Sequence, residues 1–186
     1  YKYLLRNKKH ILLSESDFID YKKLNPDYSI EKKYDYIYSC PKVKNNSNNC
    51  NDWVSYNKNW ELGEKCIKIM SKMGLKGLLV GRKGCNVPKN CETTGWLNYK
   101  DMINYYQQSK FVFIPNVRDA SPRVLTECLS LDLPCLVNKN IIGGWKYINN
   151  ETGEFFEEID DFEDKLKYLI NNLKNYKPRS FITKNY

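Results

Sequence analysis

The 186-residue sequence has no long apolar run and no recognisable secretory signal. No apolar segment approaches the roughly 20 residues that are needed to cross a bilayer. The first residues do not combine a basic segment with an apolar one, as a signal peptide would. We therefore expect a cytoplasmic protein. Because the chain opens on Tyr1 rather than Met, we also expect it to be a fragment of a larger protein with a missing N-terminal domain.

Histidine is nearly absent, and the cysteines follow no metal-binding pattern. His10 is the only histidine, and it lies in an N-terminal arm where we expect no catalytic role. The seven cysteines form no Cys-x-x-Cys pair and match no zinc-finger spacing. Three lie in apolar patterns and should be buried: Cys66, Cys128 and Cys135. Four lie near predicted loops, where disulfides or a metal site are alternatives: Cys40, Cys50, Cys85 and Cys91. Reduced thiols of a cytosolic protein are the expectation.

Disorder is excluded by 41% hydrophobic and 14% aromatic residues. The net charge of +8 is unevenly spread: residues 1–33 carry +3, residues 34–110 carry +6 and residues 111–186 carry −1. A basic region indicates a polyanionic partner such as nucleic acid, a membrane surface or a phosphorylated small molecule. A solvated, lysine-rich surface is the alternative explanation.

Short apolar segments alternate with helical patterns from Tyr34 onward. Strands are predicted at 34–40, 75–80, 111–114, 134–138 and 154–156, and helices at 60–73, 98–109, 121–131 and 160–173. This alternation predicts an α/β fold, a Rossmann-like parallel sheet with helices on both faces. The chain divides into a linker or arm (1–33), the sheet domain (34–173) and a C-terminal tail (174–186).

The loop after the predicted strand 111–114 carries the strongest signal of a binding site, because ligands bind at the carboxyl ends of parallel strands. Ser121 is predicted as the N-cap of the next helix and Pro122 as its first residue. A helix N-terminus attracts phosphate, and Arg118 and Arg123 flank this one. Their guanidinium groups can pair with phosphate oxygens.

Two carboxylates frame the same helix start. Asp119 and Glu127 are eight residues apart, so they can bracket a ligand that lies along the first turns. The alternative is that Asp119 merely caps the helix and Glu127 is a surface carboxylate.

Several segments, in order, resemble the C-terminal half of group 1 (GT4-like) glycosyltransferases of the GT-B fold. The segments are Gly95-Trp96-Leu97, residues 109–115, Asp119-(x7)-Glu127, Leu133-Pro134-Cys135-Leu136-Val137, Gly143-Gly144 and residues 150–156. The resemblance covers about residues 34–172. It departs from the family at Asp119, where the family has Glu, and at Ala120-Ser121-Pro122, where a glycine is usual.

The resemblance implies a domain that binds a nucleotide-diphosphate sugar, a UDP- or GDP-sugar, for transfer to a glycan, protein or lipid acceptor, usually with retention. By position, Glu127 would bind the ribose hydroxyls, and the backbone of Ser121, Pro122 and Arg123 would hold the diphosphate. Asp119 would act at the donor sugar as a catalytic residue.

The resemblance also implies a basic group at the leaving phosphate, and Lys58 matches it best. Arg82 or Lys83 would supply a second charge, Trp96 would line the base pocket, and Gly143 belongs to the family's glycine-rich turn. Lys58 and Arg82 are otherwise solvated surface cations, and Trp96 is otherwise a packing residue. Cations and a helix N-terminus can stabilise a diphosphate leaving group without a metal, and no Asp-x-Asp motif occurs, so neither a metal nor a cofactor is expected.

Three alternatives remain open. A sugar-nucleotide epimerase or phosphorylase of GT-B type would need further acid and base residues. A catalytically inactive nucleotide-binding domain would keep only the fold. A basic nucleic-acid-binding module would place exposed aromatics between cations, as the tyrosines of 1–38 and 96–106 suggest. Most of those tyrosines fall on core positions, so no nucleic-acid partner is expected.

Overall fold

The computed structural model of the chain describes residues 13–44 and 49–186. His10 lies outside the described residues. The strands are β1 (Tyr34–Ser39), β2 (Gly77–Val80), β3 (Cys91–Thr93), β4 (Ser109–Ile114), β5 (Cys135–Asn138) and β6 (Gly153–Phe156). The α-helices are α1 (Trp53–Asn57), α2 (Trp60–Lys72), α3 (Tyr99–Gln107), α4 (Arg123–Ser130), α5 (Ile159–Asn171) and α6 (Pro178–Asn185), and a 3-10 helix spans Glu15–Phe18.

All six strands form one parallel sheet in the order β3-β2-β1-β4-β5-β6. The chain builds outward from β1 in one direction as far as β3 and then returns to build outward from β4 in the other. The direction in which strands are added to the sheet therefore changes between β1 and β4. These two strands pair in register through Ile37 and Val112. The crevice outside the carboxyl ends of these two strands is where ligands bind in such sheets.

Helices cover both faces of the sheet, because the side chains of each central strand alternate between two cores. Tyr36 and Tyr38 of β1 point into the core that α2 and α5 cover, while Ile37 points into the opposite core. That opposite core contains the apolar residues of α4 and Tyr106 of α3, together with Ile182 of α6. The predicted Rossmann-like parallel sheet is therefore confirmed.

The beginning of α4 differs from the prediction. Pro122 is the N-cap, with φ −74° and ψ 85°, and the helix starts at Arg123. Ser121 does not cap the helix, because its hydroxyl lies 3.1 Å from both the backbone nitrogen and the hydroxyl of Ser16. A contact with the N-terminal segment thus replaces the predicted local cap.

Two elements escaped the sequence patterns. The edge strand β3 has three residues, of which Cys91 alone is buried, so it leaves no apolar run to detect. The helix α6 lies in the predicted tail and packs against α4. Arg179 of α6 donates hydrogen bonds to the carbonyl oxygens of Tyr21, Leu24 and Ser130. Segments from both ends of the chain therefore pack against α4, while the division into three parts stays a prediction.

The expectation of reduced thiols is wrong for one pair of cysteines. Cys50 and Cys85, on the loops that follow β1 and β2, form a disulfide. The other five are free and buried, including Cys40 and Cys91; burial in the two cores is confirmed for Cys66, Cys128 and Cys135. Within the described ranges, no helix is long and apolar enough to span a bilayer.

Candidate functional site

Lys58 reaches the crevice from a tight turn between α1 and α2. Asp52 caps α1 by accepting a hydrogen bond from the Ser55 backbone at 2.9 Å, and Lys58 ends that helix. The Tyr38 hydroxyl donates to the Lys58 carbonyl oxygen at 2.8 Å. The Asn59 side chain donates to the carbonyl oxygen of Pro115 at 3.0 Å, which ties this turn to the end of β4.

The ammonium group of Lys58 forms an ion pair with Asp119, with Nζ 2.9 Å from Oδ2. The Asn116 amide donates to the same oxygen at 3.2 Å, and the Ser121 backbone N–H donates to Oδ1 at 3.3 Å. Both side chains of the ion pair are partly exposed. The two sequence-predicted catalytic residues are therefore in contact and remain accessible to a ligand.

A cavity of about 330 Å³ opens beside this ion pair at the start of α4. It brings together five of the residues that the sequence singled out: Lys58, Asp119, Ser121, Arg123 and Glu127. Glu15 and Val124 complete the lining. Two cations, three carboxylates and the positive end of a helix thus face one space. The cations and the helix N-terminus are groups that bind phosphate.

Glu127 also lines a second, adjoining cavity of about 460 Å³. Burial raises the pKa of the Glu127 carboxyl, and the positive charge of Arg123 offsets part of that rise. The Tyr99 ring lies in the same cavity, where burial and the nearby Glu127 charge raise the pKa of its hydroxyl. A desolvated carboxylate in a cleft marks a functional-site candidate rather than a surface residue.

Gly143 supports the Asp119 loop from behind. Its backbone N–H donates to the Asp119 carbonyl oxygen at 3.0 Å. A Cβ at this position would lie 1.9 Å from the Ala120 carbonyl oxygen, so no larger residue fits without displacing the loop. A Cβ at Gly144 would likewise lie too close to a neighbour, 2.5 Å from Pro122 Cγ. Gly143 does not line either cavity, so its contacts make it a support of the site.

The structure does not bring Arg82 into the cavity. The side chain is fully buried (0% exposed) and lies flat against Trp60, 4.1 Å from the ring centre. Its Nη atoms donate to the Cys50 carbonyl oxygen at 2.8 Å, to the Ser55 hydroxyl at 2.7 Å and to the Cys40 thiol at 2.6 Å. These contacts hold the two loops that the disulfide also joins, and complete burial keeps the guanidinium away from a ligand.

Trp96 lies on the loop after β3 and is 57% exposed. Its indole N–H donates to the Lys42 carbonyl oxygen at 3.1 Å. It does not line either of the two cavities. The indole contacts the loop that follows β1. Its place in a base pocket stays a prediction, because Trp96 shares no cavity with Glu127.

Another cavity, of about 350 Å³, lies along α1 and the start of α2. Its charged lining residues are all acidic: Asp52, Glu61 and Glu64. This charge opposes a phosphorylated ligand, so the cavity is a poorer candidate than the one beside Lys58. Among residues 13–44 and 49–186, no group of three His, Cys, Asp or Glu side chains is placed to hold a metal ion.

A sequence profile described as "Glycosyl transferases group 1" matches residues 80–185, which is more than half of the chain. The chain belongs to this family of glycosyltransferases. The resemblance drawn from the motifs is therefore confirmed. Asp119, Arg123 and Glu127 lie inside the matched part, whereas Lys58 and Glu15 lie outside it. No curated protein matches the chain in a sequence comparison.

Solved structures share the fold at low sequence identity. The C-terminal domain of the glycosyl transferase group 1 protein LpcC from Francisella tularensis superposes with a TM-score of 0.65 at 14% identity, over 90% of this chain and 98% of that domain. HepE from Anabaena, solved with UDP and glucose, gives 0.65 at 10% identity, over 90% of this chain and 51% of its own. Sucrose-phosphate synthase from Thermosynechococcus elongatus gives 0.64 at 13% identity, over 89% and 46%.

This glycosyltransferase chain thus spans nearly the whole C-terminal domain of LpcC and about half the length of HepE and of sucrose-phosphate synthase. Among the tyrosines of residues 1–38 and 96–106, Tyr34, Tyr36, Tyr38 and Tyr106 are buried and cannot stack on nucleic-acid bases, whereas Tyr28 and Tyr99 are exposed.

Sequence reasoning missed three residues of the site. Asn116 is the second residue after the end of β4, so its place beside Asp119 could have been inferred from the strand-end rule. Tyr99 opens α3, which precedes β4 in the chain, and no local pattern connects it with Glu127. Glu15 belongs to the segment assigned to the arm, and only the folded chain brings it to the cavity.

Proposed function

We propose that this domain binds the nucleotide-diphosphate sugar from which a glycosyltransferase takes the sugar for transfer to an acceptor. The observation that carries the proposal is the Lys58–Asp119 ion pair, which shares one cavity with Arg123 and Glu127 at the start of α4. A diphosphate, a ribose and a sugar each find a suitable group there. The donor is a UDP- or GDP-sugar.

The diphosphate lies against the N-terminus of α4, between Lys58 and Arg123. Departure of the nucleotide leaves negative charge on the phosphate that was bonded to the sugar. Cations held in place before the reaction stabilise that charge more strongly than mobile solvent does. Two such cations and a helix N-terminus supply this stabilisation without a metal ion.

Asp119 is held for contact with the donor sugar. Its carboxylate receives hydrogen bonds from Asn116 and from the Ser121 backbone, as well as the ion pair with Lys58. These contacts fix the carboxylate at the cavity wall, where it can accept hydrogen bonds from sugar hydroxyls. Ser121 and Pro122 shape the loop, and Gly143 backs it.

Glu127 binds the ribose. Its carboxylate lies where the two cavities meet, one turn further along α4 than Arg123. An ionised carboxylate accepts two hydrogen bonds at once, which suits a pair of neighbouring hydroxyls. The acceptor, a glycan, protein or lipid, binds to a further domain that the longer relatives suggest, and transfer proceeds with retention.

The first test is thermal unfolding of the 186-residue chain with UDP, GDP, ADP and their sugar conjugates. At a hundred times the dissociation constant, a ligand stabilises the fold by about 2.7 kcal/mol, which raises Tm by roughly 5–10 °C. We expect one nucleotide family to give this shift. Glu127→Ala and Lys58→Ala should reduce it strongly.

Matched controls lie on exposed helix faces. Glu163 and Lys68 each form a surface ion pair within one helix, so Glu163→Ala and Lys68→Ala should keep the full shift. Equal shifts in all four variants would contradict the proposed site. The absence of any shift, together with polynucleotide binding that falls steeply with salt, would favour the nucleic-acid alternative and reject the proposal.

A further inference from the structure

The 3-10 helix Glu15–Phe18 forms one wall of the larger cavity. Glu15, Phe18 and the adjacent Ile19 line it on one side, and Tyr99, Arg123, Thr126 and Glu127 line it on the other. This helix precedes the part of the chain that the family profile matches, which begins at residue 80. The family relationship therefore does not account for this wall.

The helix is fixed to the domain at two points. The backbone N–H and the hydroxyl of Ser16 both hydrogen-bond to the Ser121 hydroxyl at 3.1 Å. Asp17 forms an ion pair with Lys146 at 2.6 Å and accepts a hydrogen bond from the Tyr147 hydroxyl. Although burial acts in the opposite direction, these hydrogen bonds lower the pKa of Asp17. The anchored residues Ser16 and Asp17 hold Phe18 in a defined place.

Phe18 is nevertheless 74% exposed, and Tyr99 across the cavity is 58% exposed. Exposed aromatic rings in a cavity beside a desolvated carboxylate are typical of a ligand site, because such sites combine aromatic walls with a few polar groups. The cavity of about 460 Å³ falls in the range of small-ligand sites.

The order of groups along the two cavities follows the order of groups in a nucleotide. Lys58 and Asp119 line the first cavity only, Phe18 and Tyr99 line the second only, and three residues line both: Glu15, Arg123 and Glu127. Phosphate-binding, hydroxyl-binding and aromatic groups thus succeed one another along α4. A base attached to a ribose at Glu127 would extend towards the aromatic residues.

We propose that Phe18 and Tyr99 bind the base of the donor nucleotide by contact with its ring faces. This assignment rests on the proposed function, because it takes the ribose position from Glu127. Aromatic side chains bind bases of any sequence through their π-faces. The N-terminal segment then belongs to the binding site rather than to a passive linker.

The test is calorimetric titration of the 186-residue chain with UDP, GDP and ADP, and with inorganic pyrophosphate as a probe that has no base. Phe18→Ala and Tyr99→Ala should each weaken binding of the preferred nucleotide about tenfold, within the range that base–aromatic stacking gives. Pyrophosphate affinity should stay unchanged in both variants. Tyr99→Phe keeps the ring and should bind within twofold of the wild type.

Tyr168→Ala is the matched control, because Tyr168 is an equally exposed tyrosine on α5 (56% exposed). It should bind nucleotide normally, and all variants should unfold within a degree or two of the wild type. Nucleotide binding that Lys58→Ala weakens but Phe18→Ala and Tyr99→Ala leave intact would overturn the base assignment alone. A wild type that binds no nucleotide would reject the proposed function and this inference with it.

Discussion

Two arginines follow parallel strands at the same edge of the sheet, yet they serve the molecule in different ways. Arg82 comes after β2 and is completely buried, with hydrogen bonds to a carbonyl oxygen, a hydroxyl and a thiol. Arg123 opens α4 and is exposed at the wall of both cavities. One cation joins loops of the scaffold, and the other is available to a ligand.

The difference shows why residue type and strand-end position are not enough to assign a phosphate-binding cation. Both arginines satisfy the rule that ligands bind at the carboxyl ends of strands. Arg82 is removed from the solvent by Trp60, which stacks on it, and by the Cys50 loop. The partners within the fold therefore decide which cation is free for a substrate.

The largest expected effect separates the two arginines by stability. Arg82→Met should lower the free energy of unfolding by about 3 kcal/mol, because it removes the hydrogen bonds that a fully buried guanidinium donates to the Cys50 carbonyl, the Ser55 hydroxyl and the Cys40 thiol. Arg123→Met should change it by less than about 0.5 kcal/mol, as is usual for exposed positions. Urea titrations of both variants measure this contrast.

Ligand affinity should reverse the order of the two variants. Arg123→Met removes a cation from the phosphate site and should weaken UDP binding about tenfold, the loss expected for a hydrogen bond to a charged group. Arg82→Met, measured at a temperature where it is folded, should bind with nearly wild-type affinity. Equal loss of affinity in both variants would refute the division into a scaffold cation and a ligand cation.

An effect of similar size on the same scaffold comes from the disulfide. Cys50 and Cys85 are 35 residues apart, and a cross-link of that span should contribute about 3–4 kcal/mol to stability by restricting the unfolded chain. The double variant Cys50→Ser, Cys85→Ser should lose this amount in urea unfolding. Dithiothreitol should destabilise the wild type equally and leave the double variant unchanged, and failure of either result would show that the bond is not part of the native scaffold.

The central fold could be predicted because its signals are local and apolar. β1 and β4 are short apolar runs, and α2 and α5 show helical spacing, so the core of the sheet follows from the pattern. β3, α6 and the 3-10 helix carry few buried residues, and their positions depend on contacts such as those of Arg179 and Ser16. These contacts link distant parts of the chain, which no local pattern reports.

The residues of the candidate site likewise divide into those that the sequence could predict and those that it could not. Asp119 and Glu127 were found from their spacing about the start of one helix, and Lys58 from a family resemblance. The burial of Arg82 depends on Trp60 and on a disulfide between two loops, neither of which the strand pattern reveals. Phe18 reaches the site through the anchors of a segment far away in sequence.

The smallest expected effect is a pH dependence of UDP affinity, which tests the ligand-binding site in this comparison. Burial raises the pKa of Glu127 above its usual 4.5, while Arg123 lowers it. The ionised carboxylate is the form that accepts hydrogen bonds from ribose hydroxyls, so UDP affinity should fall as the pH decreases through this raised pKa. The fall should begin above pH 4.5 and reach several-fold, as measured by calorimetry between pH 5 and 8.

Variants identify Glu127 as the titrating group. In Arg123→Met the offsetting charge is gone, so the pKa rises further and the loss of UDP affinity should begin at a higher pH. In Glu127→Gln the side chain cannot ionise. Any pH dependence that UDP affinity shows and pyrophosphate affinity does not should therefore disappear in this variant. Stability has the opposite sign: because the folded pKa is raised, the carboxyl destabilises the fold as the pH increases from 4.5 through the folded pKa. Glu127→Gln should therefore be more stable than the wild type at neutral pH and equal to it in acid, and the reverse order would exclude a desolvated carboxylate at this position.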